Sequence, residues 1–408
     1  MKQYYPALTG LRAIAALLVF IYHAIPVVGM EGTNVVETWL IRVAQQGYVG
    51  VNIFFVLSGF LITNRYYHHL DRTGPWLFRY LQNRFARIYP IYFLLTAVTF
   101  AVMVLRPTNE WYEWPATSSL GFKIAAVVLN LTLLRAYFEQ LSLLGVPTAW
   151  TLTVEETFYL CAPFLLLGLK RNLRWIYIYP VLLFLLGTVL VAFCSRFLPY
   201  KGLMASMNFM TSNTFFGRCV EFLVGMGLAI WIAQRPPLVP ARAGRGLATW
   251  LGVGGLLAGM VAMALIEHVL PAESLPWLLS MRTVTNLLLP FPIAALLWGL
   301  LHERSGLLLL LQSKAFDLLG KSSYVFYLLH LGVVDSLFSH YVSAHWLARL
   351  VSYTLLSIAL YRGVERPLHL KLKAKDLPLA KSGAPEPNRS APDEAVTASV
   401  HASNDFAR

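Results

Sequence analysis

The chain has 408 residues, 57% of them hydrophobic and 13% charged, with a mean hydropathy of +0.59. Ordinary soluble domains are about 45–50% apolar and about 25% charged, which excludes a water-soluble globule of ordinary composition. The formal net charge of +13 would suggest nucleic acid in a soluble protein. Here Lys and Arg fall between hydrophobic blocks, where membrane topology accounts for them, and no nucleic-acid partner is expected.

A bilayer core of about 30 Å takes about 20 apolar residues per helix. Blocks of this kind predict ten spans, at about residues 11–30, 47–64, 88–105, 150–169, 175–195, 214–233, 247–266, 283–301, 322–340 and 346–363. The expected fold is all-α: a polytopic membrane helical bundle with about ten transmembrane helices, multi-pass and in contact with lipid. With the N-terminus inside, loops 65–87, 170–174, 234–246 and 302–321 hold fourteen Lys and Arg. Loops 31–46, 106–122, 195–213, 267–281 and 339–345 hold four. Positive charge marks the inner side, so both termini are expected in the cytoplasm.

Two apolar stretches do not fit this count. An eleventh span at residues 122–138 would invert every later loop against the charge bias, so a re-entrant or interfacial helix is expected there. Residues 307–321 carry Lys314 and Asp317 and are expected at the inner surface. From about residue 371 hydrophobicity falls while Pro, Ser, Ala and mixed charge rise. Residues 1–370 therefore read as one transmembrane domain and 371–408 as a disordered cytoplasmic tail. Arg12 interrupts the leader-like stretch, so the first helix is expected to remain as an anchor. Cys161, Cys194 and Cys219 are odd in number, far apart and inside apolar runs. That is the pattern of small buried hydrophobes, and neither a disulfide nor a metal site is expected.

An ionisable side chain inside a span is costly unless paired or hydrated, so each one is a candidate for function. The first span, LTGLRAIAALLVFIYHAIPVV, holds Arg12 and His23. Eleven positions make three helical turns and a small offset, so both project from one face, about 16 Å apart along the axis. Arg12 falls near the cytoplasmic boundary and His23 deep. The bland alternatives are a snorkelling anchor for Arg12 and an interhelical hydrogen bond for His23. In AWTLTVEETFYL, Glu155 and Glu156 stand near the outer start of the fourth span. Thr151, Glu155 and Tyr159 share one stripe at i, i+4 and i+8. A carboxylate beside a histidine could fix its tautomer and support it as a base. In RYLQNRFARIYPIYF, Arg79, Arg84 and Arg87 either anchor the inner side or form a polyphosphate site, since Arg forks match phosphate geometry. Gly50, Ser58 and Gly59 in GVNIFFVLSGFLI permit close helix packing. Arg218 and Glu221 at i, i+3 read as an intramembrane ion pair, and His330 and Glu365 are further polar points.

Taken in order, these segments resemble the acyltransferase-3 family of integral membrane acyltransferases. The likeness covers about residues 5–370 and rests on Arg12 and His23, FFVLSGFLI, RFARIYP, WTLTVEETFYL, EFLVGMGLA, SYVFYLLH and VERP. It implies a bacterial inner-membrane enzyme that moves an acyl group from cytoplasmic acyl-CoA to a hydroxyl. The commonest donor in the family is acetyl-CoA, and the acceptor is a surface carbohydrate or lipid-linked glycan such as lipopolysaccharide or another polysaccharide. Its catalytic positions fall on His23, Glu155 and Arg12, and its donor-binding arginines on Arg84, Arg87 and Arg12. Ser58, Thr151, Tyr159 and His330 are the candidate substrate contacts. The chain departs from the family at Asn52, often Asp, and at Thr151, often Ser. Some members carry a hydrolase-like domain after the helices; a chain of this length leaves no room for one, so a partner acting on the exported acyl group is expected to be separate. A neutral histidine suits removal of the hydroxyl proton as the alcohol attacks the thioester. Direct base catalysis is the first expectation and an acyl-histidine relay the second. A membrane transporter or flippase of a glycan or acyl-bearing intermediate is the competing class.

Overall fold

The computed structural model describes residues 4–24, 34–105, 118–235 and 246–374. Its helices are α1 (Pro6–Ala24), α2 (Val35–Ala44), α3 (Val49–Tyr66), α4 (Gly74–Leu105), α5 (Leu120–Leu131), α6 (Trp150–Arg171), α7 (Trp175–Phe197), α8 (Met207–Asn213) and α9 (Phe215–Ala233). They continue as α10 (Leu247–Val269), α11 (Leu275–Arg282), α12 (Pro290–His302), α13 (Gly306–Leu311), α14 (Lys314–Leu329), α15 (Val333–Tyr341), α16 (Trp346–Leu360) and α17 (Arg366–Leu372). The fold is a polytopic helical bundle. Among the described residues, eight segments are long and apolar enough to cross a membrane: Pro6–Ala24, Val35–Tyr66, Gly74–Leu105, Pro147–Arg171, Trp175–Phe197, Met207–Ala233, Leu247–Val269 and Leu275–His302. They fall on the first eight expected spans. The ninth and tenth fall on α14 with α15 and on the run from α16 to α17, which are not among those eight.

Several stretches expected to be loop are helical, α2 and the start of α4 among them. Asn34 accepts the Glu37 backbone N–H at 2.9 Å and so caps α2. The Arg-rich stretch before Ile88 is the first part of α4, which runs 32 residues and carries Pro90 inside. In the stretch 122–138, α5 ends at Leu131 and two short turns follow, Arg135–Tyr137 and Glu139–Leu141. Twelve residues rise about 18 Å, short of the hydrocarbon thickness. The expected tail lies outside the described residues from 375 onward, as do 25–33, 106–117 and 236–245 of the expected first span and loops.

Lipid and protein faces separate by side chain. On α7, Tyr177, Val181, Leu185, Val189 and Phe193 are exposed, while Gly187, Val191 and Cys194 are buried. A ridge of large apolar groups open on one side belongs against acyl chains, not water. The inner contacts are close because small residues line them. α3 packs along α9, and α1 along α14 and α3. A Cβ on Gly59 would stand 2.1 Å from the Phe222 carbonyl oxygen, and one on Gly225 2.1 Å from that of Val56. The two backbones thus touch reciprocally, as small residues allow between membrane helices.

Candidate active site

α1 places His23 and Arg12 in two different polar groups. His23 is partly buried, and its Nδ1 lies 2.9 Å from the Val19 carbonyl oxygen one turn back. A carbonyl only accepts, so hydrogen bonding assigns the proton to Nδ1 and the lone pair to Nε2. The same Nδ1 lies 3.1 Å from Nε2 of His330. His330 is fully buried and closes α14. Two residues on, Gly332 takes φ 116°, left-handed geometry that glycine accepts readily, and the chain leaves in a new direction as α15. The His330 ring stacks on Phe326 and meets Phe20 edge-on. Among the described residues, the charged groups facing His23 are Asp335 and Arg349. They are paired to each other, with Arg349 Nη2 2.6 Å from Asp335 Oδ1, and that oxygen also accepts the Tyr353 hydroxyl at 2.6 Å.

Arg12 is partly buried and shares its electrostatic surroundings with Arg87, Glu155, Glu365 and Tyr159. The Glu155 carboxylate accepts the Ser58 hydroxyl from α3 and the Tyr159 phenol from the next turn of α6. The Arg84 guanidinium lies over the rings of Tyr66 and Tyr159, at 5.9 Å and 5.6 Å. Arg87 is paired with Glu365, which sits in the π-helical turn Tyr361–Glu365. Arg12, Arg84, Arg87, Glu155, Ser58 and Tyr159 are thus one neighbourhood built by α1, α3, α4 and α6.

This arrangement corrects one expectation. Glu155 was expected to orient His23, but its hydrogen bonds go to Ser58 and Tyr159, and His23 is held by Val19 and His330. The stripe on α6 divides accordingly. Thr151, two turns nearer the start of the helix than Tyr159, donates to the Thr148 carbonyl at 3.0 Å and lies 3.1 Å from the Tyr327 hydroxyl. Tyr327 is three residues before His330 on α14, so Thr151 stands on the His330 side of the site and Tyr159 on the Arg12 side.

The pair expected from i, i+3 spacing also forms. Arg218 Nη2 is 2.7 Å from Glu221 Oε1, with both residues buried, and Asn52 Nδ2 donates to that same oxygen and to the Thr285 carbonyl. Asn52 therefore supplies the neutral donor that a carboxylate-bearing Asp could not. In the sequence Glu365 is only a further polar point, and Tyr327 carries no signal of a role. Their partners lie 278 and 176 positions away, and no local spacing signals such contacts.

The family model described as an acyltransferase domain matches residues 5–361. A candidate O-acetyltransferase of Staphylococcus aureus (strain COL) is 26% identical over 352 residues, covering 83% of this chain and 52% of that protein. The O-acetyltransferase OatA of Staphylococcus aureus (strain NCTC 8325 / PS 47) is 24% identical over 401 residues, covering 90% of this chain and 58% of the relative. The chain thus spans little more than half the length of these relatives. No solved structure matches. With most of its length inside the family model, from α1 to the turn after α16, the chain belongs to the acyltransferase-3 family of integral membrane acyltransferases.

Proposed function

We propose that the protein is a membrane O-acetyltransferase that moves an acetyl group from cytoplasmic acetyl-CoA to a hydroxyl of a cell-surface or exported carbohydrate. The observation that carries this reading is the pairing on α1. His23 keeps Nε2 as a proton acceptor, and Arg12 lies on the same helix face about 16 Å away along the axis, on the end that the charge bias assigns to the cytoplasm. Family membership and the O-acetyltransferase names of the relatives support the reaction class.

In this reading Arg12, Arg84 and Arg87 receive the phosphates of the donor, and the thioester extends toward His23. Arg suits that task because its planar fork pairs with phosphate oxygens and stays charged. Nε2 of His23 takes the hydroxyl proton as the alcohol oxygen bonds to the acyl carbon. The C–S bond then breaks, and the proton passes to the departing thiolate. Glu155, fixed by two hydroxyl donors, offsets positive charge among the arginines. Ser58 and Tyr159 then hold Glu155, and Thr151 and His330 belong to the acceptor side.

Mass spectrometry of surface glycans from cells with and without this chain tests the reading. Loss of one acetyl ester without the chain, restored by the wild-type protein and not by His23→Ala, supports it. An unchanged acetylation pattern overturns it.

A further inference from the structure

Among the described residues, no carboxylate hydrogen-bonds His23, where one usually stands behind a catalytic histidine. Asp335 is engaged with Arg349 and Tyr353, and Glu155 with Ser58 and Tyr159. What touches His23 Nδ1 instead is the imidazole of His330. We propose that His330 is the positioning residue of His23: its neutral Nε2 accepts the Nδ1–H of His23, holds the ring, and shares the charge when Nε2 of His23 takes a proton. The inference rests on the reading of His23 as the base.

The proton count leaves one arrangement. The Val19 carbonyl has no proton to give, so His23 Nδ1 donates. A second N–H pointed at that nitrogen would set donor against donor at 3.1 Å. Nε2 of His330 is therefore an acceptor, and the His330 proton sits on Nδ1, which meets no protein acceptor among the described residues. The contact with His23 favours this tautomer. The Val19 oxygen alone would hold His23 loosely, because position i−4 also receives the helical backbone N–H of residue 23. A buried second acceptor removes that freedom, as a carboxylate does in hydrolase triads. An imidazole does so without placing a negative charge in the membrane interior. His330 is itself immobilised by Phe326, Phe20 and the helix end before Gly332.

Two substitutions separate this role from packing. His330→Phe keeps a flat ring against Phe326 and removes the acceptor. His330→Gln loses the ring and keeps an acceptor oxygen. In purified, reconstituted protein, His330→Phe should lower kcat for acetyl transfer about 10–100-fold with KM for acetyl-CoA unchanged, whereas His330→Gln should recover most of that loss. A second readout needs no turnover. Nitrogen-15 spectra of histidine-labelled protein, with His23 identified by its absence in His23→Ala, should show a single Nδ1–H form in wild type and His330→Gln. In His330→Phe they should show a mixture of tautomers. Wild-type kcat in His330→Phe, or a fall in His330→Gln as deep as in His330→Phe, would overturn the assignment, as would an Nε2–H form of His23 in wild type. Turnover surviving in His23→Ala removes the base assignment itself, an outcome distinct from the loss of His330's role alone.

Discussion

Arg87 of α4 is paired with Glu365 of the π-helical turn after α16, the Arg87 side chain 28% exposed and that of Glu365 only 1%. The two halves of this pair are not equivalent. Removing Arg87 strands a charge away from water, whereas removing the Glu365 charge leaves a cation that can still be hydrated. Arg87→Met should therefore destabilise by about 3 kcal/mol and Glu365→Gln by about 1 kcal/mol. Thermal unfolding in detergent reads the difference; equal losses would contradict the asymmetry.

Glu155 accepts two hydroxyls, and each one orients it toward the arginines. Ser58→Ala and Tyr159→Phe each delete one hydrogen bond to a charged group, worth about 1.5–3 kcal/mol, or roughly 10–100-fold. Each variant should lose acetyl-transfer activity in that range. The double variant should lose less than the product of the two, because the donors share one acceptor. Strict multiplicativity would show that they act independently.

The reciprocal contact of Gly59 and Gly225 predicts a sharp local intolerance. Gly59→Ala puts a methyl 2.1 Å from the Phe222 carbonyl oxygen, while Gly254→Ala meets nothing within 4 Å. Gly59→Ala should cost about 1–3 kcal/mol or prevent accumulation of folded protein. Gly254→Ala should be neutral or slightly stabilising, since Ala is the better helix former. Yield and melting temperature in one detergent compare them directly.

Much of this architecture could be read from the sequence, and the reason is physical. Lipid demands long apolar helices, so composition and block length alone mark them out. Backbone contact demands small residues, so Gly50 and Gly59 were visible as packing positions, and i, i+3 spacing gave Arg218 with Glu221. Periodicity also placed Arg12 and His23 on one face of α1. It could not say what each would meet there. His330 enters because Gly332 ends α14 beside α1, and Glu365 because a π turn re-aims the last helix; both are tertiary facts. Glu155 was assigned to His23 on chemistry alone, and the crossing of α3, α4 and α6 placed it with Ser58 and Tyr159 instead.

Glu303 offers a test of pH dependence away from the spans. Its carboxylate caps α10, accepting the backbone N–H groups of Ala248 at 3.0 Å and Thr249 at 2.9 Å and the Thr249 hydroxyl at 3.0 Å. Burial alone would raise its pKa, but these three donors outweigh burial and hold it below the usual carboxylate range. A depressed pKa stabilises the fold above the unfolded value of about 4.3, and the contribution is lost as pH falls through the folded value. Glu303→Gln should therefore be less stable than wild type by about 1 kcal/mol at pH 7. The gap should close below about pH 4. A gap that widens on acidification would contradict the cap.

The most direct test of the account is turnover by purified protein in lipid discs, with acetyl-CoA as donor and a hydroxyl-bearing glycan as acceptor. If His23 removes the acceptor's proton, His23→Ala should lower kcat by about 10²–10⁴-fold while acetyl-CoA still binds, and Arg12→Ala should chiefly weaken that binding. Wild-type kcat in His23→Ala would contradict it.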